Sequence, residues 1–90
     1  MDAKSFAELG QYLRQKRLKQ GLSQVEVAKQ LGYSSQFIAN WERGVSSPPM
    51  QALKKIIDIY GINQREFLEI MDTIQTNFWK RNMFSKKSSG

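Results

Sequence analysis

Side chains equipped for covalent or metal chemistry are scarce in this 90-residue chain. It contains no cysteine and no histidine, which removes disulfides, thiolate or imidazole metal sites and any Ser-His or Cys-His nucleophile together. The acidic residues, among them Glu8, Glu26, Asp58, Glu66, Glu69 and Asp72, are spread along solvent-facing helix positions without a paired-carboxylate constellation, and no glycine-rich phosphate loop occurs. Neither catalysis nor a metal, cofactor or small-molecule ligand is expected. Hydrogen-bonding chemistry is what remains, and it is concentrated in Gly32 to Gly44, GYSSQFIANWERG. There Ser35, Gln36 and Asn40 present short, uncharged donors and acceptors in a chain otherwise rich in lysine and arginine.

The elements that must carry these residues are helical. Phe6, Leu9, Leu13 and Leu18, with Tyr12 beside them, fall near a 3.6-residue period from Ser5 to about Lys19. Gly21 supplies a stop. Ser23 and Glu26 form a capping-box pattern ahead of Val27, Ala28 and Leu31, and Gly32 ends that second helix. Only Gly32-Tyr33-Ser34 separates it from a third helix over Ser35 to Arg43, a connection of helix-turn-helix length. Ser34 or Ser35 caps this helix; Phe37, Ile38 and Trp41 form its expected inward stripe, leaving Ser35, Gln36, Ala39, Asn40 and Arg43 outward. A fourth helix is expected from Pro49, with Leu53, Ile56, Ile57 and Tyr60 inward. Asn63 caps a fifth, whose Phe67, Met71, Ile74 and Phe78 continue two turns beyond the needs of a compact domain.

Ninety residues suffice for one small domain, and a composition of 40% hydrophobic and 24% charged residues is that of an ordinary globular protein. Residues 1–78 are expected to form that domain and 79–90 a basic tail. The net charge of +6 lies mostly in the tail, where Lys80, Arg81, Lys86 and Lys87 have no acidic neighbour. A basic balance favours polyanionic partners without choosing among them. No signal-peptide core and no membrane-spanning window occur, so a cytoplasmic protein without a membrane partner is expected.

The segment GLSQVEVAKQLGYSSQFIANWERG resembles the Cro/lambda-repressor-like, or XRE-type, helix-turn-helix family. Gly21, Leu22, Ser23, Gln24, Ala28, Leu31, Gly32, Ile38, Glu42, Gly44 and Pro48 all stand at matching offsets, and the similarity runs from about Leu9 to Phe67. The resemblance implies an all-α, compact five-helix DNA-binding domain, here with an extended C-terminal helix. It implies that the third helix enters the major groove, with Ser35, Gln36 and Asn40 contacting base edges. Gln and Asn pair bidentately with adenine, and Ser is an adaptable donor and acceptor, so an uncharged face suits a surface that reads bases while others hold phosphates. Phosphate contacts are implied for Gln24, Ser34, Arg43, Gly44 and Ser46, although the loop VSSPPM lacks the basic residues of some relatives. Arg17 and Glu42 match a structural ion pair. Phe37 is expected in the core, the alternative being contact with thymine methyl groups; Trp41 is expected in the core. Lys16, Lys19, Lys54 and Lys55 fit phosphate contacts or ordinary surface equally.

Met71, Ile74 and Phe78, with Trp79 and Phe84 nearby, offer more apolar surface than a monomer leaves uncovered. A homodimer built there, reading two half-sites of double-stranded DNA, is expected. The overall expectation is a sequence-specific transcriptional regulator, most simply a dimeric repressor of a bacterial or phage-encoded operon, without an effector domain. A protein-interaction module or antitoxin-type protein that binds a protein partner through the fifth helix is the alternative.

Overall fold

Five α-helices follow the glycine and capping punctuation closely: α1 (Ala3–Lys19), α2 (Gln24–Leu31), α3 (Ser35–Arg43), α4 (Met50–Ile59) and α5 (Gln64–Trp79). They are seen in a computed structural model that describes residues 3–84, with the side chains of 6–83. Among the described residues no strand occurs.

Local chemistry sets the helix ends. Ser23 Oγ accepts from the Glu26 N–H at 3.0 Å while Glu26 Oε1 accepts from the Ser23 N–H at 2.7 Å, so two otherwise orphaned donors at the start of α2 are satisfied reciprocally. Gly32 closes α2 at φ +78°, with its N–H donated to Ala28 O. That left-handed residue turns the chain sharply enough for α3 to begin three residues later. Asn63 Oδ1 accepts from the Glu66 N–H at 3.1 Å and caps α5.

The helices pack with α1 across α3 and α5, and α2 against α3 and α4. Their shared core holds Leu9, Leu13, Val27, Ala28, Leu31, Ile38, Trp41, Ala52, Ile56, Tyr60, Ile62 and Phe67. Two expectations need correction here. On α1 the buried ladder is Leu9, Leu13 and Arg17, whereas Phe6 and Leu18 at the ends of the expected stripe are exposed; the i, i+4 row continues onto a charged residue because α3 supplies a carboxylate to meet it. On α3, Ile38 and Trp41 are buried but Phe37 is 49% exposed, so it is not a core residue. One helical position separates them, and that rotation of about 100° carries Phe37 out of the stripe.

Pro49 stands just outside α4 as its N-cap, with Met50 opening the helix. Beyond Trp79 the helical run continues as a turn of π-helix, Lys80–Phe84, past the expected boundary between residues 78 and 79. Lys86 and Lys87 lie outside the described residues.

Candidate nucleic-acid interface

The outward face of α3 rests on a buried polar network. Arg17 Nε donates to Glu42 Oε2 at 2.6 Å and its second amino group donates to Glu42 Oε1 at 3.0 Å, a two-pronged pairing of side chains only 7% and 4% exposed. The remaining Arg17 amino group donates to Leu22 O at 2.7 Å, and Gln24 Nε2 donates to Glu42 Oε1 at 3.0 Å. One carboxylate thus ties α1, the following turn and the first residue of α2 to the last turn of α3. Its hydrogen bonds raise the Arg17 pKa, outweighing the opposing effect of burial. Tyr60 lies within the field of this pair; burial first, and then the Glu42 carboxylate, push its phenol up to about 12.

Gly10 completes the seat. A Cβ there would stand 2.5 Å from Glu42 O and closer still to Trp41 O, so only glycine lets the α1 backbone approach the end of α3. Gly44 meets α1 similarly: its φ is +79°, and a Cβ would lie 2.6 Å from Ala7 Cα.

With Ile38, Trp41 and Glu42 facing inward, Gln36, Asn40 and Arg43 fall on the opposite side. They are joined. Gln36 Nε2 donates to Asn40 Oδ1 at 3.2 Å, and Arg43 donates to the same oxygen at 2.7 Å. This arrangement commits the Asn40 acceptor twice and points to its amide nitrogen as the outgoing donor, while Gln36 keeps its carbonyl oxygen as an acceptor. As a unit the pair keeps the two N–H groups of Asn40, one N–H of Gln36 and the Gln36 carbonyl oxygen, a set that contains the donor and acceptor complementary to an adenine edge in the major groove.

The other candidate contacts sit around this row. Ser34 occupies the N-cap position of α3 with extended backbone but makes no side-chain capping bond, and it is exposed; Ser35 behind it is half-buried. Gln24 is half-buried at the start of α2, one amide donor engaged by Glu42. Ser46 is half-buried in the loop after α3. Gly44 differs from the rest: it is buried, and its N–H is donated to Trp41 O at 3.2 Å. That N–H closes α3, because the same left-handed turn that ends the helix folds it back onto the last turn.

Away from this face, the α5 side chains Met71, Ile74, Gln75, Phe78 and Trp79 line a shallow groove of about 430 Å³. Met71 and Ile74 pack partly onto the core, whereas Trp79 is 51% exposed, its ring at 79° to that of Phe78. Lys16 Nζ, 2.9 Å from Glu66 Oε2, joins α1 to the first turn of α5 and holds the Glu66 carboxyl below the usual range. No group of three or more acidic, histidine or cysteine side chains that could hold a metal ion occurs among the described residues, and no described helix is long and apolar enough to cross a membrane.

Sequence reasoning misses Gly10, the outward placement of Phe37 and the hydrogen bonds that join Gln36, Asn40 and Arg43. The first depends on a close approach between helices remote in sequence, which no local pattern encodes. The last is legible in principle, since residues three and four apart on a helix are neighbours.

A short second helix, a three-residue turn and a third helix whose inner side is locked to α1 define an all-α, lambda-repressor-like helix-turn-helix domain. Residues 13–67 match the helix-turn-helix family, and the chain belongs to it. It is also 42% identical over 62 residues to a protein of Aeropyrum pernix provisionally described as an HTH-type transcriptional regulatory protein. The match covers 69% of this chain and 18% of that protein. No solved structure matches the chain.

Proposed function

We propose that the chain is a sequence-specific, double-stranded DNA-binding transcriptional regulator that lays α3 in the major groove and works as a dimeric repressor in the cytoplasm of a bacterial or phage-carrying cell. The observation that carries this reading is the outward row Gln36–Asn40–Arg43, linked by hydrogen bonds and held by a buried ion pair. Ser35, Gln36 and Asn40 are the base-reading residues, and Gln24, Ser34, Arg43 and Ser46 hold phosphates. Gly44 belongs with them, in the loop that lies beside the phosphates. The kinship with an HTH-type regulator is in keeping with this role.

The apolar groove along α5 supports a homodimer built from Met71, Ile74 and Phe78. A twofold axis there would present two α3 helices to half-sites about one helical turn, roughly 34 Å, apart. A different protein seated on the same groove is the competing occupant, and it predicts a monomer in isolation.

Selection of bound fragments from genomic DNA tests the reading. Gln36→Ala and Asn40→Ala should each weaken binding to the selected duplex by about 1–3 kcal/mol and relax base preference at particular positions. Uniform weakening of all sequences would remove these residues from the readout.

A further inference from the structure

Phe37 is a large apolar side chain that α3 leaves half exposed, at the edge of the core and not within it. Ile38 and Trp41 are buried, while Phe37 remains 49% exposed. It is not loose. Its ring stands edge-on to Tyr33, centroids 5.4 Å apart at 77°, and 6.3 Å from Trp41; Tyr33 in turn meets Trp41 at 5.2 Å and 69°. Three aromatic rings therefore brace one another, with the buried indole at the base and Phe37 at the solvent edge.

Its place in the helix gives this exposure a direction. Phe37 follows Gln36 and precedes Asn40 by three residues, so it flanks the row of polar groups assigned to base readout. If α3 lies in the major groove, the ring is covered by base edges. Those edges are hydrogen-bonding groups at most positions, and covering them with a hydrocarbon would leave them desolvated and unpaired. The apolar group the major groove offers is the C5-methyl of thymine.

We propose that Phe37 is a specificity-determining residue that reads the C5-methyl of one thymine in each half-site. The proposal rests on the assignment of α3 as the reading helix and adds an apolar contact to the polar ones. It also gives the aromatic brace a role: Tyr33 and Trp41 hold the ring in place before DNA arrives, so little side-chain freedom is lost on binding.

The test uses the full chain and a duplex selected by it from a randomised library. Each thymine is replaced in turn by deoxyuridine, which removes the methyl and leaves every hydrogen-bonding group in place. One thymine per half-site should respond with about fourfold weaker binding, equivalent to ~0.8 kcal/mol, the worth of one buried methyl. Phe37→Ala should bind thymine and deoxyuridine duplexes equally at that position while keeping base preference elsewhere. In the wild-type complex, the same thymine methyl should give nuclear Overhauser contacts to the Phe37 ring, a measurement independent of how the variant folds. Methyl dependence that survives Phe37→Ala, the lack of any methyl-sensitive thymine, or the lack of those contacts overturns the assignment to Phe37. Failure of the full chain to enrich any duplex overturns the parent reading as well.

Discussion

Arg17 and Glu42 meet beneath α3 with donor–acceptor distances of 2.6 and 3.0 Å and almost no exposure, whereas Arg81 and Glu8, at the far end of α1, stand 3.9 Å apart with both side chains well exposed. The first pair is a hydrogen-bonded clamp; the second stands beyond hydrogen-bond distance. The same contrast runs through the regions around them. At the α2–α3 end, capping box, aromatic brace and carboxylate network fix each outward group from behind. Along α5 the core thins after Phe67, and Met71, Ile74, Phe78 and Trp79 are progressively left to the surface. The domain therefore braces the polar face of α3 within one chain but leaves the apolar stripe of α5 open, which is in keeping with the proposal that the first reads DNA and the second associates.

Unpairing the clamp puts this contrast under the greatest strain. Arg17→Met should destabilise the fold by about 3–5 kcal/mol, because it leaves Glu42 as a buried charge. Urea unfolding reads the loss. Adding Glu42→Met should restore much of it, since an apolar pair of similar volume escapes the desolvation cost of two ions. If the single variant lost under about 1 kcal/mol, the clamp would be no stronger than the exposed pair at the other end and the contrast would fail. Because the fold itself suffers, loss of DNA binding at Arg17 or Glu42 would not mark either as a DNA contact.

Gly10→Ala comes next and sets two effects against each other. In an unobstructed helix the change gains about 0.5–1 kcal/mol. Here the added methyl meets the backbone oxygens of Trp41 and Glu42, an overpacking that costs about 1–3 kcal/mol. The clash should win, and a thermal melt should show a lower Tm. A raised Tm would mean that α1 and α3 can separate freely, so that the reading face is not fixed from behind.

The two regions also differ in how far the sequence discloses them. Helix ends are readable because their causes are local: Ser23 with Glu26, Gly32 and Asn63 each act within four residues. The outward polar row of α3 follows from helical spacing together with family resemblance. Phe37 escapes such reading because it adjoins Ile38 and both look apolar enough for the inward stripe, whereas the 100° step between them leaves room for only Ile38 beside Trp41. Phe6 and Leu18 escape it for a related reason: the apolar period extends to residues whose place in the core is taken by Arg17, whose worth depends on a carboxylate 25 residues away.

On the open side, Ile74→Glu places a charge in the α5 groove. It should shift the protein to monomer in sedimentation equilibrium and weaken binding to a two-half-site duplex by at least about tenfold, while binding to a single half-site changes little. Ile74 is only partly buried within its own chain, so the fold should lose less than it does in Arg17→Met. A monomeric wild-type protein, or a variant whose association is unchanged, would remove the homodimer from α5.

The smallest effect belongs to the basic end. Lys80 and Arg81 lie in the π-helical turn that prolongs α5, so shortening the chain at Phe78 would remove structure together with charge. Lys86→Ser combined with Lys87→Ser removes two charges and leaves that turn intact. If both lysines hold phosphates, the slope of log K against log salt should become shallower by about 1.8, at about 0.9 for each phosphate no longer neutralised. Base preference should not change, because phosphate contacts carry no direct sequence information. An unchanged slope would assign these lysines to solubility and leave phosphate binding to the residues around α3, so that the finished reading end would hold all of the DNA and the C-terminal end would serve association alone.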